Sequence, residues 1–156
     1  MTPLFKKLNL KNQSTILVLN PPASFEGELE NISGFVKVER KEGALAKIDF
    51  AIVFVTTQAQ IEDAIKKAHP KLEGDAILWF CYPKGSSKKY SCEFNRDTGW
   101  AVLGGYGLEG VRQVSIDEDW SAIRFRKVEY IKQLTRRESF ALSAEGKSRA
   151  GKKTGR

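Results

Sequence analysis

Lys84-Gly85-Ser86-Ser87-Lys88-Lys89 gathers three lysines, two hydroxyls and a glycine into six consecutive residues. Such a loop suits an anion. The lysines bring charge, the serines bring O–H donors, and Gly85 lets the backbone come close. Asn95 and Arg96 read as the start of a helix carrying Trp100 and Leu103, whose N–H groups would face the same place. Asn20, at the end of an earlier apolar run, completes a candidate ligand-binding set: Asn20, Lys84, Ser86, Ser87, Asn95 and Arg96. No Walker spacing is present, so triphosphate binding is not indicated. The plain alternative is a solvated surface loop, since lysines are mostly exposed.

Other groupings carry less chemistry. Gly105-Tyr106-Gly107-Leu108-Glu109-Gly110 matches GxGxxG letter for letter. The dinucleotide mechanism needs a strand before and a helix after, and here the order is reversed. The loop that should hold those glycines reads Asn20-Pro21-Pro22, where the prolines remove backbone donors. Glu39 falls where a ribose-binding carboxylate would sit, and is a weaker cofactor candidate. His69, the only histidine, precedes Pro70 at a helix end and reads as a solvated residue there. With no cysteine cluster beside it, neither a zinc site nor a serine triad is supported. Asp117-Glu118-Asp119 reads as an acidic turn, and Arg124 and Arg126 as its offset charge partners. No catalytic set, metal site or cofactor follows from these groups.

The elements that must position them follow from periodicity. Leu4, Phe5 and Leu8 make one face of a short helix. Ile16–Leu19 is a strand stopped by Asn20-Pro21-Pro22, and Ser24 caps a short helix to about Ile32. Phe35–Glu39 alternates as a second strand, and Phe50–Val55 is a buried central strand. Thr57-Gln58-Ala59-Gln60 is a capping box before Ile61, Ala64, Ile65 and Ala68, with Pro70 beyond. Ala76–Tyr82 is a third central strand, ending at Pro83-Lys84. Val111–Ile116 and Ile123–Val128 form a hairpin. Strands alternating with helices predict a three-layer α/β fold: a mostly parallel central sheet, Rossmann-like but reduced, with a C-terminal antiparallel hairpin. Only about ten residues separate the second and third strands, near the lower limit for a crossover, so the pairing of the second strand stays open.

Composition bounds the rest. A chain of 156 residues has room for one core. The net charge of +7 is uneven: residues 131–156 hold eight Lys/Arg against two Glu, a net of +6, leaving +1 for residues 1–130. The reading is one α/β domain over 1–130 and a basic, largely disordered tail over 131–156. No apolar run approaches a bilayer span or a secretory leader, and Cys81 and Cys92 are too far apart for a CxxC pair. A cytoplasmic protein with reduced thiols and no membrane contact is expected.

Three blocks add a resemblance: Leu8-Asn9-Leu10-Lys11, then Ile77-Leu78-Trp79 through Pro83-Lys84, then Gly107-Leu108 with Asp117, Trp120-Ser121 and Arg124-Phe125. In these the chain resembles a bacterial family known as a domain of unknown function, over roughly residues 4–128. Asn12 and Gln13 stand where that family usually has Pro-Gly. The resemblance implies a compact α/β domain and no particular reaction. The leading expectation is a non-catalytic binding or regulatory module whose strand-end surface favours an anionic small molecule or a protein partner. One alternative is a nucleotide-fold or methyltransferase-like enzyme relative using Glu39 for a ribose. Another is nucleic-acid association through the basic tail.

Overall fold

The computed structural model describes residues 2–95 and 98–131. Arg96 and the tail beyond Ile131 lie outside the described residues, and with them the expectations placed on Arg96 and on the tail. The chain runs α1 (Pro3–Lys7), β1 (Thr15–Leu19), α2 (Glu26–Ile32), β2 (Lys37–Glu39), β3 (Ile48–Phe54), α3 (Gln58–Ala68), β4 (Leu72–Pro83), α4 (Ala101–Gly104), β5 (Leu108–Ser115) and β6 (Trp120–Lys127).

One six-stranded sheet has the order β2-β1-β3-β4-β6-β5. The first four of these strands are parallel, while β6 lies antiparallel between β4 and β5. The open question about the second strand is settled: β2 pairs with β1 as an edge strand. A 3-10 turn over Glu42–Ala44 lies between β2 and β3, with no crossover helix.

Side-chain alternation divides the core into two layers. Phe50, Ile52, Phe54, Ile77, Trp79 and Cys81 face α1 and α2, where Phe5, Leu8, Leu29 and Ile32 meet them. Ala51, Val53, Leu78, Phe80 and Tyr82 face α3 and α4, against Ile61, Ala64, Ile65, Ala68 and Leu103. Both faces of the central strands are buried, which is why they read as unbroken apolar runs. This is the expected three-layer, Rossmann-like α/β architecture.

Local chemistry sets the element ends. The capping box forms as read, with Gln60 N–H on Thr57 Oγ1 and Thr57 N–H on Gln60 Oε1. In the β3–β4 ladder, Ile48 pairs with Leu72 but Phe50 pairs with Ile77, so Glu73-Gly74-Asp75 loops out of β4. Gly74, at φ +57°, permits that excursion.

Two helix readings are corrected. Ser24 caps nothing; it sits inside a 3-10 turn over Ala23–Phe25. Asn95 starts no helix either. Its backbone carbonyl accepts from Thr98 N–H and from the Trp100 indole N–H, and only Ala101–Gly104 is helical. Gly99 at φ +87° breaks the helical path between them.

Candidate functional site

Chain direction locates the site. From β1 the chain moves outward to β2, then returns past β1 to β3. In open α/β sheets the crevice outside the carboxyl ends of the strands at such a reversal takes the ligand. Here those ends carry Leu19-Asn20, Glu39, Phe54-Val55-Thr56 and Pro83-Lys84.

Asn20 holds φ +57° and is exposed. Asparagine tolerates this left-handed conformation better than most residues, so the chain can turn sharply off β1. Pro21 and Pro22 follow, with no N–H to offer a ligand, and then the buried Phe25. At the end of β2, Glu39 lies 3.0 Å from Lys37 with its side chain 20% exposed. Arg40 reaches across to the first turn of α2 and grips both oxygens of Glu26 at 2.8 and 2.7 Å. Those hydrogen bonds hold the Glu26 carboxyl below its usual range and Arg40 above its own. A groove of about 500 Å³ runs along the free edge of β2, lined by Leu29, Val36, Lys37 and Arg40 among others.

Several of the remaining donors are already engaged. The Gln58 N–H at the start of α3 donates to Glu93 Oε2 at 3.3 Å, besides the capping box. Lys84 Nζ donates to Ser115 Oγ at 2.7 Å, drawing it toward β5 and away from β1. Ser87 Oγ donates to the Asp119 carboxylate at 2.9 Å and accepts from Tyr90 N–H. Asp119 O accepts from Lys84 N–H, so the loop after β4 and the β5–β6 turn are stitched together. Asp117 Oδ1 accepts from the N–H groups of Asp119 and Trp120, a local turn rather than a metal ligand. Ser86 is exposed, and no contact brings it to Asn20. The structure therefore brings Lys84 and Ser87 together, keeps Glu39 and Asn20 at neighbouring strand ends, and does not converge the whole set on one point.

A row of aromatic rings walls this edge on the α1/α2 side. Phe25 after β1 meets Phe54 at the end of β3 (4.9 Å between ring centroids), which meets Trp120 (5.1 Å), which meets Tyr90 (4.9 Å). Spacing along the chain gave no sign of this row, because its members come from four separate segments. His69 packs against Tyr106 with ring centroids 4.9 Å apart and the planes tilted by 53°, away from this edge. Contrary to the expectation from sequence, Arg126 does not pair with the acidic turn. It grips Asp75 with two hydrogen bonds of 2.8 and 2.6 Å, because the looped-out Glu73-Gly74-Asp75 brings that carboxylate to it.

No family model and no curated protein matches this chain. Solved structures share its fold. The N-methyltransferase NodS from Bradyrhizobium japonicum WM9 matches with a TM-score of 0.50 at 15% identity, covering 80% of this chain and 92% of that one. A SAM-dependent methyltransferase from Aquifex aeolicus matches with a TM-score of 0.50 at 16% identity, over 80% and 88% of the two chains. Phosphoethanolamine N-methyltransferase 2 from Haemonchus contortus matches with a TM-score of 0.50 at 12% identity, over 80% of this chain and 37% of that one. Identities this low speak to the fold. The leading expectation of a non-catalytic, anion-favouring module is nonetheless overturned. The solved structures named above that share this architecture are methyltransferases, and Lys84 and Ser87, two of the donors that motivated an anion, are bonded within the chain. No described helix is long and apolar enough to cross a membrane.

Proposed function

We propose that this chain is a methyltransferase-like enzyme that holds an adenosyl cofactor of the S-adenosylmethionine type in the crevice at the ends of β1, β2 and β3. The observation carrying this is the sheet itself. Its order, with antiparallel β6 set between β4 and β5, belongs to a fold shared with methyltransferases over 80% of this chain. Such a cofactor supplies an electrophilic methyl group on a sulfonium.

The residues at the edge suit an adenosyl group and oppose a pyrophosphate. Glu39, at the carboxyl end of β2, is placed to accept from two ribose hydroxyls, with Lys37 steadying its carboxylate. Pro21 and Pro22 withhold the backbone donors that a phosphate needs. In the first turn of α2 the Glu28 carboxylate disfavours an anion, while Glu26 is already compensated by Arg40. Phe25, Phe54, Trp120 and Tyr90 keep water from one side of the crevice. Both cysteines are free, which supports the expectation of a cytoplasmic protein in a reducing compartment.

Thermal unfolding and calorimetry with millimolar S-adenosylmethionine test this reading, with NAD and ATP as controls. Saturable stabilisation by S-adenosylmethionine alone is expected. Glu39→Gln should weaken binding about tenfold or more, since hydrogen bonds to a charged acceptor contribute about 1.5–3 kcal/mol each. No stabilisation, or stronger binding of NAD, overturns the assignment.

A further inference from the structure

The face of β5–β6 on the α1/α2 side carries three arginines, Arg112, Arg124 and Arg126. Arg126 is matched by Asp75. Among the described residues the other two have no ion-pair partner. Arg112 and Arg124 stand directly opposite each other in the β5–β6 ladder, so their side chains leave the sheet on one face. Arg124 also pairs in register with Trp79 on β4, whose indole N–H donates to the Leu8 carbonyl at 2.9 Å. Arg124 thus sits at the margin of the layer that α1 builds over the sheet, and Arg112 is the exposed residue beyond it.

A β-bulge creates this confrontation. The register shifts between Gly110 and Arg112, so Val111 is the extra residue and Arg112 takes the place opposite Arg124. Bulges re-aim side chains in this way. Here the result is two like charges face to face, an arrangement that by itself destabilises a strand pair. Among the described residues no ion pair joins a carboxylate to either arginine; the buried Glu109 on this face stands opposite Arg126 instead. The Arg124 Nε–H is buried and has no hydrogen-bond partner. Burial together with the charges of Arg126 and Arg112 penalises the Arg124 guanidinium, and Asp75 only partly offsets this.

We infer that Arg112 and Arg124 form a binding site for the phosphate monoester group of a small molecule. Two guanidinium groups present forked N–H donors, the geometry that suits phosphate oxygens. The charge also selects the ligand: a phosphate monoester carries nearly two negative charges at neutral pH and neutralises both arginines, whereas a carboxylate leaves one uncompensated. The site is separate from the strand-end crevice. Arg124 lies four residues along β6 from Trp120, roughly 13 Å at the rise of a strand, and the inference does not depend on the methyltransferase-like reading.

Calorimetry and thermal unfolding of the full chain with inorganic phosphate, against chloride and acetate at matched ionic strength, test it. Saturable binding with a higher melting temperature in phosphate alone is expected. Arg112→Gln should cut phosphate affinity at least tenfold, while the phosphate-free variant melts at or above the wild-type temperature because a repulsion is gone. Arg124→Gln should abolish binding. Should that half-buried variant fail to fold, Arg112→Gln carries the test alone. Lys66→Ala, an exposed charge on the opposite side of the sheet, should bind phosphate as the wild type does. Equal effects of phosphate, chloride and acetate, or unchanged affinity in Arg112→Gln, overturn the site.

Discussion

Replacing Trp79 with phenylalanine should loosen the N-terminal helix from the sheet. Trp79 is fully buried in the middle of β4, and its indole N–H donates to the Leu8 carbonyl at 2.9 Å, just past the end of α1. Phenylalanine keeps an aromatic body but removes the donor. The Leu8 carbonyl, on a residue that is itself fully buried, then has no replacement partner, which costs about 1–3 kcal/mol. The smaller ring also leaves a void of roughly 40 Å³, worth about 1 kcal/mol at ~24 cal/mol per Å³. The total is about 2–4 kcal/mol. With a urea slope of roughly 2 kcal/mol per molar, the unfolding midpoint should fall by about 1–2 M with the slope unchanged. Far-UV circular dichroism is the suitable readout, because Trp100 and Trp120 complicate fluorescence. A midpoint shift below about 0.3 M, at that same slope, would refute the claim that this hydrogen bond docks α1.

Other outcomes follow from the same geometry. Gly99→Ala should destabilise by about 2–4 kcal/mol, because φ +87° disfavours alanine and its Cβ would lie 2.6 Å from Phe94 Cβ; Gly43→Ala, with nothing within 4 Å, should be neutral by urea titration. Asp75→Asn should cost less than about 1 kcal/mol at neutral pH, because the pair is about a third exposed. Hydrogen bonding to Arg126 holds the Asp75 carboxyl below its ordinary value, so its stabilisation is full at neutral pH and fades as pH falls through that lowered value. Wild type and variant should therefore converge in acid, and a gap that persists there contradicts the pairing. Thiol titration should find Cys92 reacting slowly in the folded protein and Cys81 only after denaturant. Burial raises both thiols, and Cys81 is wholly buried.

What could be read from the chain was local. The capping box at Thr57 and the apolar runs of β3 and β4 depend on neighbours a few residues apart, and they appear where the pattern put them. The turn after β1 was visible because prolines cannot continue a helix or a central strand. The site was less legible, since its contacts join distant segments. Ser87 meets Asp119 across 32 residues, Gln58 meets Glu93 across 35, and Arg126 meets Asp75 across 51. Composition around Lys84–Lys89 suggested free donors, and only the folded arrangement reveals that Lys84 and Ser87 are occupied. Asn95 misled because a polar residue before apolar ones resembles a cap, while Gly99 forbids the helix.

The antiparallel course of β6 has a practical side. It begins beside Pro83 at the crevice edge and runs eight residues back toward the amino ends of the parallel strands. At about 3.3 Å per residue, the polypeptide leaves the sheet roughly 23 Å from the crevice. A surface tether or fluorophore placed at Glu129, exposed just after β6, is thereby anchored far from the crevice. The same protein can be immobilised at that residue for ligand screening with its strand-end opening facing the solution.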